Sequence, residues 1–187
     1  MEDFLDKQHL VRLPKLNKTQ QEDLVDVLDT EDQVLHYVNY SLQLSQSRRF
    51  PYYTATNIDG KLFKKAPRKD RWRRDERIPD GVQWGPELYR ADMSDFDKGH
   101  MTKREDVQWG DSIAFASKAA DSTFYYTNAV PQHALLNQQI WRSLEDYILH
   151  TEAKGNDLKI CVLTGPVLRK TDPFFVTPVK GIRLQIP

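Results

Sequence analysis

A single cysteine, Cys161, in 187 residues leaves no internal disulfide to form. The fold therefore has to rest on its core, and a reducing compartment is the simpler expectation. Long apolar runs are missing too, since no stretch nears the roughly 20 residues a helix needs to span a bilayer. The N-terminus, MEDFLDKQHL, has neither the apolar centre of a secretory signal nor the acid-poor, arginine-rich character of an organellar transit peptide. No membrane association and cytoplasmic residence are the resulting expectations. Neither sign of charge is in excess: 27 basic residues face 27 acidic ones, so the sum does not indicate a globally basic nucleic-acid binder. Internal repeats and low-complexity tracts are absent as well.

What is present suits one folded domain, because this length can bury a core without disulfides or metals. An apolar fraction of 39% with 11% aromatics supplies the side chains that offset ordering entropy. Charge is neutral in sum but not in distribution. Nine Lys or Arg residues lie between Lys61 and Arg77, opposed only by Asp70, Asp75 and Glu76. Such a local excess can meet phosphate without making the whole protein adhesive.

Several elements can be placed from pattern. Thr19 with Glu22 fits a capping box, and Leu24, Val25 and Leu28 follow at helical spacing, predicting a short amphipathic helix. RRFPYYTATNIDGKLFKK, residues 48–65, alternates through Tyr53, Ala55 and Asn57 to Asp59-Gly60, predicting a hairpin. Pro79, Gly81, Gly85 and Pro86 punctuate a loop. Residues 112–122 read as a helix, FYYTN (124–128) as a strand and PQHALL (131–136) as a turn. Residues 136–155 give the clearest helix, with Ile140, Trp141, Leu144, Tyr147 and Ile148 on an apolar face and Gly155 as its stop. KICVLTGP, 159–166, reads as a buried strand. Segregated hairpins and helices favour an α+β class over a parallel βαβ sheet.

Three groups of residues could carry chemistry. His100, one of five histidines, sits in DFDKGHMTKREDVQWG. Gly99 before it can take backbone angles that other residues resist, and Asp97 can accept from an imidazole. A neutral imidazole near pH 7 is suited to taking a proton from water. Asn128, Asn137 and Glu145 form the second group, for which a turn residue, a helix N-cap and a solvated carboxylate are the ordinary explanations. If the interval from Asn137 to Glu145 is α-helical, they are separated by a rise of about 12 Å and a rotation of about 80°. That argues against direct ligation of one ion by both. One could still bind a hydrated Mg²⁺ directly and the other through its waters. Arg68, Arg71, Arg73 and Arg74 form the third group: a solvated face, or guanidinium forks matched to phosphate that can stabilise charge building on phosphorus.

Taken in order, DKGH, TNAVPQ, LNQQIW and LEDY resemble the signature of the DNA/RNA non-specific endonucleases of the ββα-metal, or His-Me finger, type. That signature reads D-R-G-H, then T/S-N-x-x-P-Q, then N-x-x-x-W running into L-E. Asp97 to His100, Thr127-Asn128 with Pro131-Gln132, Asn137 with Trp141, and Leu144-Glu145 carry the likeness. It extends over residues 52–187, with RWRRDERIP and the Thr164 to Pro166 segment included.

The resemblance implies a mostly antiparallel sheet core flanked by helices. The nuclease domain would comprise residues 51–187, with residues 1–50 as a helical and extended segment packed on it. Family members usually continue into a further core strand, so completion of the domain is expected after Pro187. The implied activity is hydrolysis of phosphodiester bonds in DNA or RNA with little base readout, leaving 5′-phosphate ends. His100 would be the general base and Asn137 the protein ligand of a hydrated Mg²⁺, with Mn²⁺ as a substitute. Glu145 would orient metal-bound waters and Asn128 would hold the site. Arg68, four residues before Trp72, would stabilise transition-state charge. Lys98, Arg71, Arg73 and Arg74 complete the implied nucleic-acid-binding set. Lys98 stands where an arginine is usual and keeps the charge without the planar fork. Leu149 stands where the family often has another arginine.

Nucleic acid is the implied partner. An intracellular nuclease of this kind also calls for an inhibitor, a homo-oligomer or a larger regulatory protein, as in a bacterial defence or toxin effector. The alternative reading is a catalytically impaired nucleic-acid-binding or docking module that another chain or segment completes.

Overall fold

A computed structural model describes residues 4–89, 96–177 and 180–187. Leu35–His36 (β1), Tyr40–Leu44 (β2), Pro51–Asp59 (β3) and Lys159–Thr164 (β6) form an antiparallel sheet in the order β1-β2-β3-β6. Phe96–His100 (β4) and Ala129–His133 (β5) form a separate antiparallel ribbon. Phe174–Val176 (β7) and Arg183–Gln185 (β8) form another. Helices are Lys18–Glu22 (α1), Ile113–Ser122 (α2) and a rod (α3) in which the turns Leu136–Trp141, Arg142–Asp146 and Tyr147–Ala153 follow without a break. The architecture is α+β, and the strand pairs of its sheets among the described residues are antiparallel.

The differences from the sequence reading have local causes. Helix α1 is capped by Asn17 and Gln20, whose side chains and backbones bond reciprocally at 3.0 Å, not by Thr19 and Glu22. It stops at Glu22 because the Asp23 carboxylate binds Ser45, Ser47 and Tyr52 in and beside the β2–β3 turn. Leu24 and Val25 then lie in extended chain against Ser45 and Leu44. Strand β3 begins at Pro51, and β1 and β2 from the preceding stretch belong to the same sheet.

The hairpin at Asp59-Gly60 does not form. The second edge of β3 is taken by β6, in a register running from Thr54 opposite Thr164 to Asp59 opposite Lys159. Gly60 leaves the sheet beneath α3, so close that a Cβ there would stand 1.9 Å from the Ala153 carbonyl oxygen. Strand β6 is the sheet's edge and only partly covered, with Leu163 47% exposed, so it is not the buried strand predicted. FYYTN is not a strand either: Tyr126–Asn128 is a tight helical turn, and the strand begins at Ala129 and runs through the predicted turn PQHALL as far as His133. Pro131 is tolerated because β5 has only one partner strand.

Helix α3 departs from the regular α form. Its first and last turns carry i→i+5 hydrogen bonds, as in the 2.9 Å bond from the Lys154 N–H to the Leu149 carbonyl. Its predicted apolar face is largely in solvent, with Ile140 at 70% and Leu144 at 49% exposure. Burial comes instead from Leu149 and Ala153, which pack on Ile58 of β3. Among the described residues no helix is long and apolar enough to cross a membrane.

Buried polar bonds fasten the chain after β4 to the sheet. Thr102 and Thr56 share a hydroxyl–hydroxyl bond of 2.7 Å. The Asn39 amide donates to the Val107 and Trp109 carbonyls, and the Trp109 indole donates to the Asn57 carbonyl at 2.6 Å. On the other side of this segment Met101 enters a core with Phe50, Trp84, Leu88, Tyr126 and Val130. His100 is thereby held between the sheet and that core.

Candidate active site

The β4–β5 ribbon sets His100 opposite Ala129 and Asp97 opposite Gln132. Asn128 locks this ribbon from behind. It is fully buried; its Oδ1 accepts from the Thr102 N–H at 2.9 Å, and its Nδ2 donates to the Thr102 and Thr123 carbonyls at 3.0 and 3.1 Å. Its own carbonyl accepts from the Met101 N–H. The side chain therefore clamps Thr102, two residues after His100, on both its N–H and its carbonyl, and ties it to the end of α2 at Thr123.

Asp97 does not serve as the acceptor for the His100 ring. Its Oδ2 accepts from Asn137 Nδ2 at 2.9 Å and Gln138 Nε2 at 2.8 Å, which ties the ribbon to the start of α3. Asn137 is the second residue of the helix rather than its cap. With its nitrogen committed to Asp97, its amide oxygen remains as the end available to a cation.

His100, Arg68, Asn137, Glu145 and Lys98 line one cavity of about 810 Å³. Asn128 lies behind it. Arg71, Arg73 and Arg74 are not brought to it. Arg73 stacks over Tyr125 at 4.0 Å and donates to the Asp121 carbonyl, and Arg74 is held by both oxygens of Glu87 at 2.8 Å. Arg68 lies on the cavity's open side, two-thirds exposed, with its Nε 2.7 Å from Asp70. Lys98 Nζ stands 5.8 Å from the centre of the Trp72 ring. Leu149 is fully buried in the core under α3, so no side chain reaches the cavity from that position.

The His100 ring is wedged against Trp72 and Phe124, with centroids 4.7 and 5.2 Å away. Its Nε2 is buried without a hydrogen-bond partner. Burial, then the charge of Arg68, push its pKa down to about 3; Arg104 and Lys98 act in the same direction and Asp70 opposes them. The imidazole is neutral at pH 7.

Sequence reasoning passed over a second set of residues here. Lys103, Arg104, Glu105 and Asp146 also line the cavity. Lys103 pairs with Asp146 and stands 3.9 Å from Glu105, which is 3.5 Å from His150. One ligand atom each from Glu105, Asp146 and His150 lies within 4.8 Å of the others, a spacing that could hold a metal ion. The available signal was the charge-dense run KRED directly after the motif, together with the acid that follows Glu145.

The neighbourhood suits a hard cation. Burial raises the Glu145 pKa to about 7; Lys103 and the Trp141 indole oppose this and Asp146 adds to it. Asp106, buried behind, is raised well above the ordinary carboxylate range, chiefly by burial, with Lys103 opposing and Glu145, Glu105 and Asp146 adding. These carboxylates lack sufficient positive charge, and amide and carboxylate oxygens are the donors Mg²⁺ prefers. Lys103 already occupies part of the Glu105–Asp146–His150 cluster, and Asn137 and Glu145 line the same cavity.

The sequence model of the DNA/RNA non-specific endonuclease family matches residues 24–186, and the chain belongs to that family. It is 37% identical over 155 residues to the uncharacterized protein y4fB of Sinorhizobium fredii, covering 78% of this chain and 23% of that protein. It is 34% identical over 100 residues to human mitochondrial endonuclease G, covering 52% and 31%, and 29% identical over 139 residues to a Nostoc nuclease, covering 73% and 47%. The chain thus spans less than half the length of these relatives. A crystal structure of an EndoG/EndoGI complex superposes with a TM-score of 0.66 at 21% identity, covering 81% of this chain and 63% of that one. This likeness establishes the ββα-metal fold.

Two predictions follow from the site's framework. Asn128→Asp, which cannot donate to two carbonyls, is expected to cost about 3 kcal/mol and to lower the melting temperature; an unchanged melt would remove Asn128 as the lock. The second concerns acid. Between about pH 6.5, where a histidine in the unfolded chain titrates, and pH 3, the unfolded chain binds a proton that folded His100 does not. Stability therefore falls as pH falls through that window, by up to about 1.4 kcal/mol per pH unit. Urea unfolding from pH 7 to pH 4 should show a shallower loss for His100→Gln than for the wild type, and equal slopes would count against a buried neutral imidazole.

Proposed function

We propose that the protein is a Mg²⁺-dependent endonuclease that hydrolyses phosphodiester bonds in DNA or RNA with little sequence preference, with His100 as the general base. The observation that carries this reading is the meeting, around one cavity, of the half-buried His100 imidazole, the Asn137 amide and the half-buried Glu145 carboxylate. Two rigid elements, β4 and α3, bring them there, joined through Asp97.

In this reading the His100 imidazole takes the proton of the attacking water, for which its neutral state is required. An imidazole with a pKa near 3 is a weak base, but Arg68, Arg104 and Lys98, which help depress it, are the charges that an arriving phosphodiester neutralises. Substrate binding thus relieves the part of the depression that these charges cause, burial being the larger part. Arg68 opposes the charge that builds on the phosphoryl oxygens. Asn137, with Glu145 nearby, would hold Mg²⁺, and the ion would supply charge neutralisation at the reacting oxygens. Mn²⁺ shares enough of these oxygen preferences to substitute. Asn128 acts through the backbone as a positioning residue.

An inhibitor or regulatory assembly is part of the proposal, because unselective cleavage in the cytoplasm endangers the host genome. That the matched solved structure is an EndoG/EndoGI inhibition complex supports it. A solitary monomer from its native cells, fully active by native mass measurement and assay, would remove the reason for it.

The activity is tested on plasmid, single-stranded DNA and RNA with titrated Mg²⁺. Cleavage is expected to stop in EDTA and to fall by about 10²–10⁴-fold in His100→Ala. Undiminished cutting by a clean His100→Ala preparation would refute the base assignment. Salt-sensitive binding without cleavage in Mg²⁺ or Mn²⁺ would favour the docking module instead.

A further inference from the structure

Arg104 is a buried arginine without a counter-ion. It is 9% exposed, lines the cavity beside His100, and donates from Nη2 to the Ala66 carbonyl at 2.8 Å. Its Nε is buried with no hydrogen-bond partner, as are those of Arg48 and Arg74, but among the described residues Arg104 makes no ion pair. Arg48, Arg74 and Arg77 each meet a carboxylate, at 2.6, 2.8 and 2.7 Å. The nearest acid in sequence, Glu105, is turned to Lys103 and His150.

Burying a guanidinium without its counter-ion is costly. Burial accordingly draws the Arg104 pKa below the usual guanidinium value, with Glu105 opposing and Arg68 adding to the depression. Arg68 and Arg104 are thus close enough to repel each other, and both act on His100. Two repelling guanidinium groups beside an unpartnered imidazole describe a cradle for an anion. Arg104 differs from Arg68 in being rigid: the Ala66 bond fixes one nitrogen while Nε has nothing to bind.

We infer that Arg104 is a substrate ligand that, with Arg68, grips a non-bridging oxygen of the phosphodiester beside His100. This rests on the nuclease reading for the identity of the anion. The Arg104 fork is oriented before substrate arrives, so little is lost in ordering it. The unpaired burial is a stability cost retained for binding.

The test compares wild type, R104Q, R104K and H100A in two assays and a melt. Plasmid cleavage in Mg²⁺ should fall about 100-fold in R104Q, with R104K keeping part of the rate because it keeps the charge. Binding of a fluorescent single-stranded DNA oligonucleotide in EDTA, followed against salt, should lose about one unit of the log–log slope in R104Q. The melting temperature of R104Q should equal or exceed that of the wild type. Wild-type cleavage and salt slope in R104Q would overturn the inference. So would a lowered melting temperature with an unchanged slope, which is the signature of a structural arginine. If R104Q is insoluble, R104K is read alone, with about a tenfold loss of cleavage expected from the lost fork; no loss would overturn the inference. A wild type that binds but does not cleave would end the nuclease reading, while the salt slope would still decide Arg104.

Discussion

The two amide bonds that Asp97 accepts from Asn137 and Gln138 fix the relation between ribbon and helix on which the cavity depends. Asp97 lies three residues before His100 on the same strand, so whatever holds it to α3 also sets the imidazole against the helix. Apolar packing cannot do this, because α3 buries Leu149 and Ala153 near its far end while Ile140 and Leu144 stand in solvent. The half of the helix that carries Asn137 and Glu145 is held by polar contacts: Asp97 at its start and Lys103 on Asp146. That half is therefore placed by charge and hydrogen bonding, and its placement is more sensitive to the charge in the cavity than a core-packed helix would be.

Hydrogen bonds are distributed unevenly about His100. Behind it, Asn128, Thr102, Thr56, Asn39 and Trp109 all find partners in buried or half-buried positions. A buried network satisfied in this way is rigid and permits one backbone course. Among the residues that line the cavity, His100 Nε2 and Arg104 Nε are buried without a partner, and Asp106 Oδ1 and Gln108 Nε2 elsewhere also have none.

Much of the site was legible in the sequence, and the reason is local. DKGH lies on one short strand, TNAVPQ holds the lock and most of its partner strand, and the spacing from Asn137 to Glu145 falls on one helix, so order along the chain carried over into space. The fold around it was less legible because tertiary competition overrode local signals. Asp59-Gly60 has the chemistry of a hairpin turn, yet β6 arrives from a hundred residues away to take the open edge of β3. Phe124, Tyr125 and Tyr126 have strand propensity, yet Phe124 and Tyr126 pack against Trp72 as ring contacts. The arginine run could not be divided by pattern. Arg68 reaches the cavity while Arg73 and Arg74 are drawn to Tyr125 and Glu87, partners that only the fold brings near. Arg104 was invisible for the same reason, as one charge in an alternating run whose burial the sequence does not encode locally.

The replacement of the usual arginine by Lys98 has a physical context here. An ammonium is a point charge, and Lys98 Nζ stands 5.8 Å from the Trp72 centroid, near the outer limit of a cation–π contact. It contributes to the field at His100 but offers no planar fork to phosphate. In the proposed mechanism fork recognition then falls to the guanidinium groups in the cavity, one exposed and paired with Asp70, the other buried and without an ion pair. That division makes the anion part of the acid–base chemistry. Burial is the main cause that keeps the imidazole neutral, and the cations that add to it are those the phosphate cancels, so an arriving phosphodiester relieves the smaller part of the depression. Such coupling needs no recognition of bases, because it responds to the charge that every nucleotide shares.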